Sequence, residues 1–129
     1  MRLAKLLSAI ALLASCSPAP LHVKVMRSAE GLIAEVYTEW WFGLRSNEVE
    51  CVHDVTLIRR SDNRVIWRMT VTDPMRTQCT KLAKFVIGQA PHGFRDEVRL
   101  GGALSSGDYN LAVSGIGHGG SDFTLPMNR

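Results

Sequence analysis

The sequence predicts an all-β chain, folded as a small antiparallel sandwich or barrel of seven or eight short strands. Three observations predict it. Apolar and polar residues alternate over short runs, as at 21–27, 65–72 and 109–116. Turn-forming clusters separate the runs, the clearest being Ser28-Ala29-Glu30-Gly31, Ser61-Asp62-Asn63-Arg64 and Ala90-Pro91-His92-Gly93. The runs are also rich in β-branched and aromatic residues, which suit a pleated, half-buried surface.

Taken in order, residues 21–27 place Leu21, Val23 and Val25 on one side and His22, Lys24 and Met26 on the other, a strand with one wet face. Residues 32–42 form the next expected strand. Leu32, Ala34, Val36, Trp40 and Phe42 share one face, and Ile33, Tyr37 and Trp41 the other, so both faces are expected to be covered. Tyr37 and Trp41, with Trp67, are candidates for an exposed aromatic anchor, although packing under a loop or between sheets is favoured.

Residues 49–60 follow as a strand with Val49, Cys51, His53, Val55 and Leu57 on its apolar side. After the turn, Val65, Trp67, Met69 and Val71 form the facing stripe. A three-residue loop of Ser61, Asp62 and Asn63, pairing Arg60 with Arg64, sets Leu57 opposite Trp67 and Val55 opposite Met69; a one-residue slip would turn Trp67 outward. Asn63 suits the left-handed position ending such a loop. This register also sets Cys51 opposite Asp73, just before Pro74.

Residues 81–89 fit either a helical stripe (Leu82, Phe85, Val86) or a strand (Ala83, Phe85, Ile87), and the β-rich surroundings favour the strand. Strands are then expected at 94–100, 109–116 and 122–125, with a break at Gly101-Gly102 and a flexible glycine-rich loop before the last.

The amino terminus carries a different signal. Arg2 and Lys5 precede an apolar run at 6–14, too short to span a bilayer, which needs ~20 apolar residues. The run ends in Leu13-Ala14-Ser15-Cys16. Charge, short apolar run and small residues form a secretory signal layout, and the final four residues resemble the lipobox of bacterial lipoproteins. That resemblance implies a signal peptide at 1–15, a diacylglycerol thioether and palmitate-type acylation on Cys16, and a lipidated tether at 16–20, with a single domain at 21–129. It further implies a periplasmic domain anchored to a membrane, and Ser17, rather than Asp, after the cysteine favours the outer membrane. Ser17-Pro18-Ala19-Pro20 suits a short tether.

The chain has 15 basic and 12 acidic side chains, a net charge of +3. Arg2 and Lys5 would leave with the signal, which brings 15 down to 13 against 12, so the domain has no basic excess to suggest a nucleic-acid partner. With Cys16 assigned to lipid, Cys51 and Cys79 in an oxidising compartment read as one disulfide. A metal site is the alternative, poorly matched by two thiols so far apart.

Leu104-Ser105-Ser106-Gly107-Asp108-Tyr109-Asn110-Leu111 resembles the L-x-x-G-x-Y-x-L run before the penultimate strand of immunoglobulin-like domains. The resemblance implies a β-sandwich rather than a barrel, with Tyr109 as a tyrosine corner and Leu104 and Leu111 in its core.

No catalytic constellation is visible: there is no G-x-S-x-G and no paired carboxylates. Gly115-Ile116-Gly117-His118-Gly119-Gly120 matches G-x-G-x-x-G, but a strand-like segment follows where a nucleotide site needs a helix, so no nucleotide is expected. His22, His53, His92 and His118, with Met26, Met69, Met75 and Met127, lack ligand spacing, and no metal or other cofactor is expected. His53 is expected in the core or at an edge. The functional expectation is a non-catalytic, lipid-anchored envelope protein presenting a binding or structural β-domain to an envelope protein partner. The alternatives are a lipoprotein inhibitor of a cell-wall-degrading enzyme, for which Ser114-Gly115 is a faint cue, and a copper-binding module using His92 and His118.

Overall fold

The computed structural model describes residues 20–39, 41–46, 48–72 and 79–127. Nine strands form two antiparallel sheets, and no α-helix occurs among the described residues. The smaller sheet contains β1 (His22–Ser28), β2 (Gly31–Tyr37) and β6 (Lys84–Val86), in the order β1-β2-β6. The larger contains β3 (Cys51–Arg59), β4 (Arg64–Val71), β7 (Phe94–Val98), β8 (Gly107–Gly115) and β9 (His118–Leu125), in the order β7-β4-β3-β8-β9. The two-residue β5 (Thr80–Lys81) pairs with the start of β3. The sheets do not close into a barrel, and the protein is a small β-sandwich.

Alternation in each strand delivers one row of side chains to the space between the sheets. Val23, Ala34, Val36 and Phe85 come from the small sheet; Val52, Val55, Leu57, Trp67, Met69, Leu111, Val113 and Phe123 come from the large one. Trp67 is fully buried, and its indole N–H donates to Asp96 Oδ1 at 2.8 Å, so the ring packs without an orphaned donor. Tyr109 is buried too. Its hydroxyl donates to the Ser105 carbonyl at 2.7 Å, the geometry of a tyrosine corner. Leu111 is in the core, and Leu104 packs against it, half-buried.

Several sequence expectations need correction. Arg59, not Arg60, pairs with Arg64, so the β3–β4 loop has four residues. A bulge at Ile66 absorbs the extra residue and restores Leu57 opposite Trp67 and Val55 opposite Met69. Burial of Trp67 thus dictates the core register, and the strand deforms to satisfy it. Asn63 does adopt the left-handed conformation, with φ 52°. Asp73 lies outside the described residues, and Cys51 pairs instead with Lys81 of β5.

A second bulge, at His53, flips the phase of β3: Val52 is buried, whereas the His53 side chain is half-exposed. The strand expected at 32–42 ends at Tyr37. A Glu39–Arg45 bridge closes a turn over Trp41–Gly43, in which Phe42 takes φ 69° and points to solvent. The 81–89 segment looked ambiguous because it changes sheets. β5 belongs to the large sheet and β6 to the small one, so Leu82 and Phe85 are both buried across the crossover. This crossover also raises the strand count to nine. The expected glycine-rich loop is a tight hairpin instead: Ser114 pairs with His118, and Gly119 and Gly120 lie within β9.

Cys51 and Cys79 form a disulfide, with Cα atoms 5.4 Å apart, tying the connection after β4 to the start of β3. The bridge is elsewhere than in antibody domains, where the cystine joins strands B and F.

Two predictions follow from this packing. A Cβ on Gly115 would overlap the Cys51 carbonyl oxygen, and one on Gly119 the Leu21 carbonyl oxygen, whereas Gly101 has open space. Gly115→Ala and Gly119→Ala are therefore expected to cost about 1–3 kcal/mol each in chemical denaturation, with Gly101→Ala neutral. Replacing both Cys51 and Cys79 with Ser opens a loop with a sequence separation of 28. The chain-entropy account puts the loss at roughly 3–4 kcal/mol, measured by the same titration.

Candidate functional site

The sandwich has two unlike ends. Leu21 precedes β1 at one end of the sandwich, and antiparallel pairing of His22 with Tyr37 brings the end of β2 to the same pole. Val52 opposite Gly115 adds the start of β3 and the β8–β9 hairpin tip. The opposite pole carries the β1–β2 turn, the β3–β4 loop and the connection at 99–106 before β8.

The best-formed concavity lies at this second pole. A groove of about 330 Å³ runs between the start of β4, the end of β7 and the 99–105 segment. Val65, Ile66, Val98, Leu100 and Leu104 give it apolar walls, and Arg59, Arg64 and Arg99 line it. Its shape depends on two anchors. Tyr109 ties the 99–106 connection through Ser105. Arg59 grips the β3–β4 loop through a bidentate pair with Asp62, Nε to Oδ1 at 3.0 Å and Nη2 to Oδ2 at 2.7 Å. The hydrogen bonds from Arg59, helped by the Arg64 backbone N–H, pull the Asp62 carboxyl down to about 2 from 3.8. Arg64 and Arg99 enter no ion pair among the described residues. The groove thus offers an apolar slot with two uncommitted guanidinium groups, a fit for a ligand or partner segment bearing an apolar body and a carboxylate or phosphate. Beyond the 99–105 ridge is a second hollow of about 290 Å³ that shares Leu100, Gly102, Ala103 and Leu104 and adds Arg27.

The other candidates are scattered. Cys16 lies outside the described residues, as do Trp40 and Met75. The Trp41 side chain is also outside them. Tyr37 is half-buried between two neighbours: the His22 ring stacks on it with centroids 5.5 Å apart, and the Arg45 guanidinium sits 3.9 Å over its face. It is therefore a packed ring at the Leu21 pole, apart from Trp67 in the core. His92 is exposed in the turn before β7 and His118 at the start of β9, and no group of three metal-ligating side chains occurs among the described residues. Gly115 and Gly119 owe their place to backbone contact rather than to a phosphate.

One polar cluster on the outer face of the large sheet resembles catalytic chemistry in composition only. Ser114 Oγ donates to Asp54 Oδ1 at 3.0 Å, and His53 Nδ1 lies 3.5 Å from Asp54 Oδ2. Nucleophile activation needs the imidazole between serine and carboxylate, and here the carboxylate is in the middle. Arg68 joins the same carboxylate at 3.5 Å and extends the network to Glu97. Ser114 and Gly115 are strand residues and do not project on a loop.

No protein-family model, curated protein or solved structure matches this chain.

The Asp62 carboxyl carbon is expected to titrate by NMR with a midpoint near 2, returning toward 3.8 in Arg59→Ala. Because the folded value lies below the unfolded one, the pair favours the folded loop fully above 3.8, and that contribution fades as pH falls toward 2. A wild-type midpoint near 3.8 would contradict the pairing.

Proposed function

We propose that the chain is a non-catalytic, lipid-anchored envelope protein. Cys16 carries the lipid at the periplasmic face of the outer membrane, and the sandwich presents the arginine-lined groove to an envelope partner. The observation that carries this reading is the position of the lipobox. Only four residues separate Leu13-Ala14-Ser15-Cys16 from Leu21, the first buried residue of the sandwich among those described. A signal layout leading through Ser17-Pro18-Ala19-Pro20 directly into a folded strand suits a protein held close to the bilayer. Multiple acyl chains on one residue give the stable attachment that a single chain does not. The disulfide suits an oxidising compartment.

The groove suits presentation because it lies at the pole away from the tether. β8 alone is nine residues long, so at ~3.3 Å per residue the two poles are ~30 Å apart. Five Cα steps separate Cys16 from Leu21, a reach of at most roughly 18 Å. Cys16 itself therefore cannot reach the groove, which leaves that pole free for a periplasmic partner.

Intact mass of the protein purified from bacterial membranes tests the anchor. The expected species begins at Cys16, carries glycerol and three acyl chains, and gains two hydrogens on reduction. Cys16→Ala is expected to move the protein to the soluble fraction. An unlipidated mass, with the protein already soluble, would overturn the reading.

A further inference from the structure

The large exposed apolar side chains are not evenly distributed. Among the described residues, the four most exposed are Phe42 at 97%, Ile116 at 72%, Leu44 at 66% and Val49 at 46%. All four belong to connections at the tether pole. Phe42, Leu44 and Val49 lie between β2 and β3, whose facing ends are Tyr37 and Cys51. Ile116 is at the tip of the β8–β9 hairpin. The remaining two, Val65 and Val98, are 38% exposed and line the groove at the other pole.

The backbone joins these apolar tips to the point where the tether enters. Leu21 N donates to the His118 carbonyl at 3.0 Å, two residues from Ile116. On its other side, His22 stacks on Tyr37, and Arg45 caps that ring from the loop bearing Phe42 and Leu44. The apolar tips therefore flank the residue that is five steps from Cys16.

We propose that this pole is a second membrane contact. Phe42, Leu44 and Ile116 seat in the headgroup–acyl boundary of the bilayer that holds Cys16, so the domain stands upright on it with the groove outward. The proposal rests on the lipid anchor. A tether of at most roughly 18 Å keeps this pole within reach of the surface at all times. Solvent-exposed apolar residues there have a bilayer beside them, and burying such residues in the interface is favourable. Charge is not the driving force. Among the described residues the pole carries Arg45 and Lys81 against Glu39, Glu48 and Glu50, and Arg45 is paired to Glu35 at 3.1 Å. The contact is accordingly expected to persist at high salt, unlike one made by a basic patch.

The test uses the full lipidated protein in vesicles of phosphatidylethanolamine and phosphatidylglycerol containing brominated lipid. An environment-sensitive fluorescent amino acid replaces Ile116, Leu44 or, at the far pole, Gly101. Mass on the same preparations reports the lipid on Cys16. The expected result is quenching at positions 116 and 44 about threefold or more above that at 101, unchanged by salt. It should weaken at position 116 in Phe42→Ser, an exposed substitution not expected to disturb the fold. Equal, weak quenching at all three positions in lipidated protein would overturn the proposal and leave the anchor standing. An unlipidated mass would remove the anchor and the proposal together. Shielding of position 116 in native membranes but not in pure-lipid vesicles would assign the pole to a protein partner and also overturn the proposal.

Discussion

The arrangement depends on one close backbone approach, where the first residues of the domain meet the last hairpin. The Leu21 carbonyl lies so near Gly119 that no side chain fits there, and the Leu21 amide bonds the His118 carbonyl. That contact joins the edge of the small sheet to the edge of the large one, so β1 and β9 do not present two open edges at this corner. It also fixes where the chain enters. Without it, β1 could peel from the sandwich residue by residue, and the entry point would lose its defined position. Gly115, against the Cys51 carbonyl, repeats the device one strand further in, beside the disulfide. Gly115, the first glycine of the nucleotide-binding-like pattern, and Gly119 within it are thus required by backbone packing.

The strands were largely legible because burial imposes a period of two, and Trp67, Met69, Leu57 and Leu111 are too large to be placed wrongly. The sequence reading failed where the period breaks. The bulges at His53 and Ile66 change phase within a strand, and no local residue type announces them. The crossover at Leu82 and Ala83 mimics a helical stripe because consecutive short strands point into the core from opposite sheets. Phe42 looked like a core residue and is almost fully exposed, since the strand ends at Tyr37 and a turn takes over.

The candidate groove was not legible at all. Arg59 and Arg64 are close in sequence, but Arg99 joins them only through the pairing of β4 with β7, and Leu104 through the tie from Tyr109 to Ser105. The tyrosine itself was readable from its motif, and its role is architectural: it holds the wall of the groove. The cysteine pair was readable from its number and from the oxidising compartment that the signal layout leads one to expect, although the strand it meets was not.

These elements support one account: an anchored sandwich with an apolar pole toward lipid and an arginine-lined pole toward the periplasm. The most direct measurement is paramagnetic broadening of backbone amide signals by a headgroup nitroxide lipid, with the lipidated protein in nanodiscs. The account predicts strong broadening at Leu21, Leu44 and His118 and none at Asp62 and Gly101. Broadening that runs along one sheet from the 28–31 turn to the β8–β9 tip would show the domain lying on its side and would contradict it.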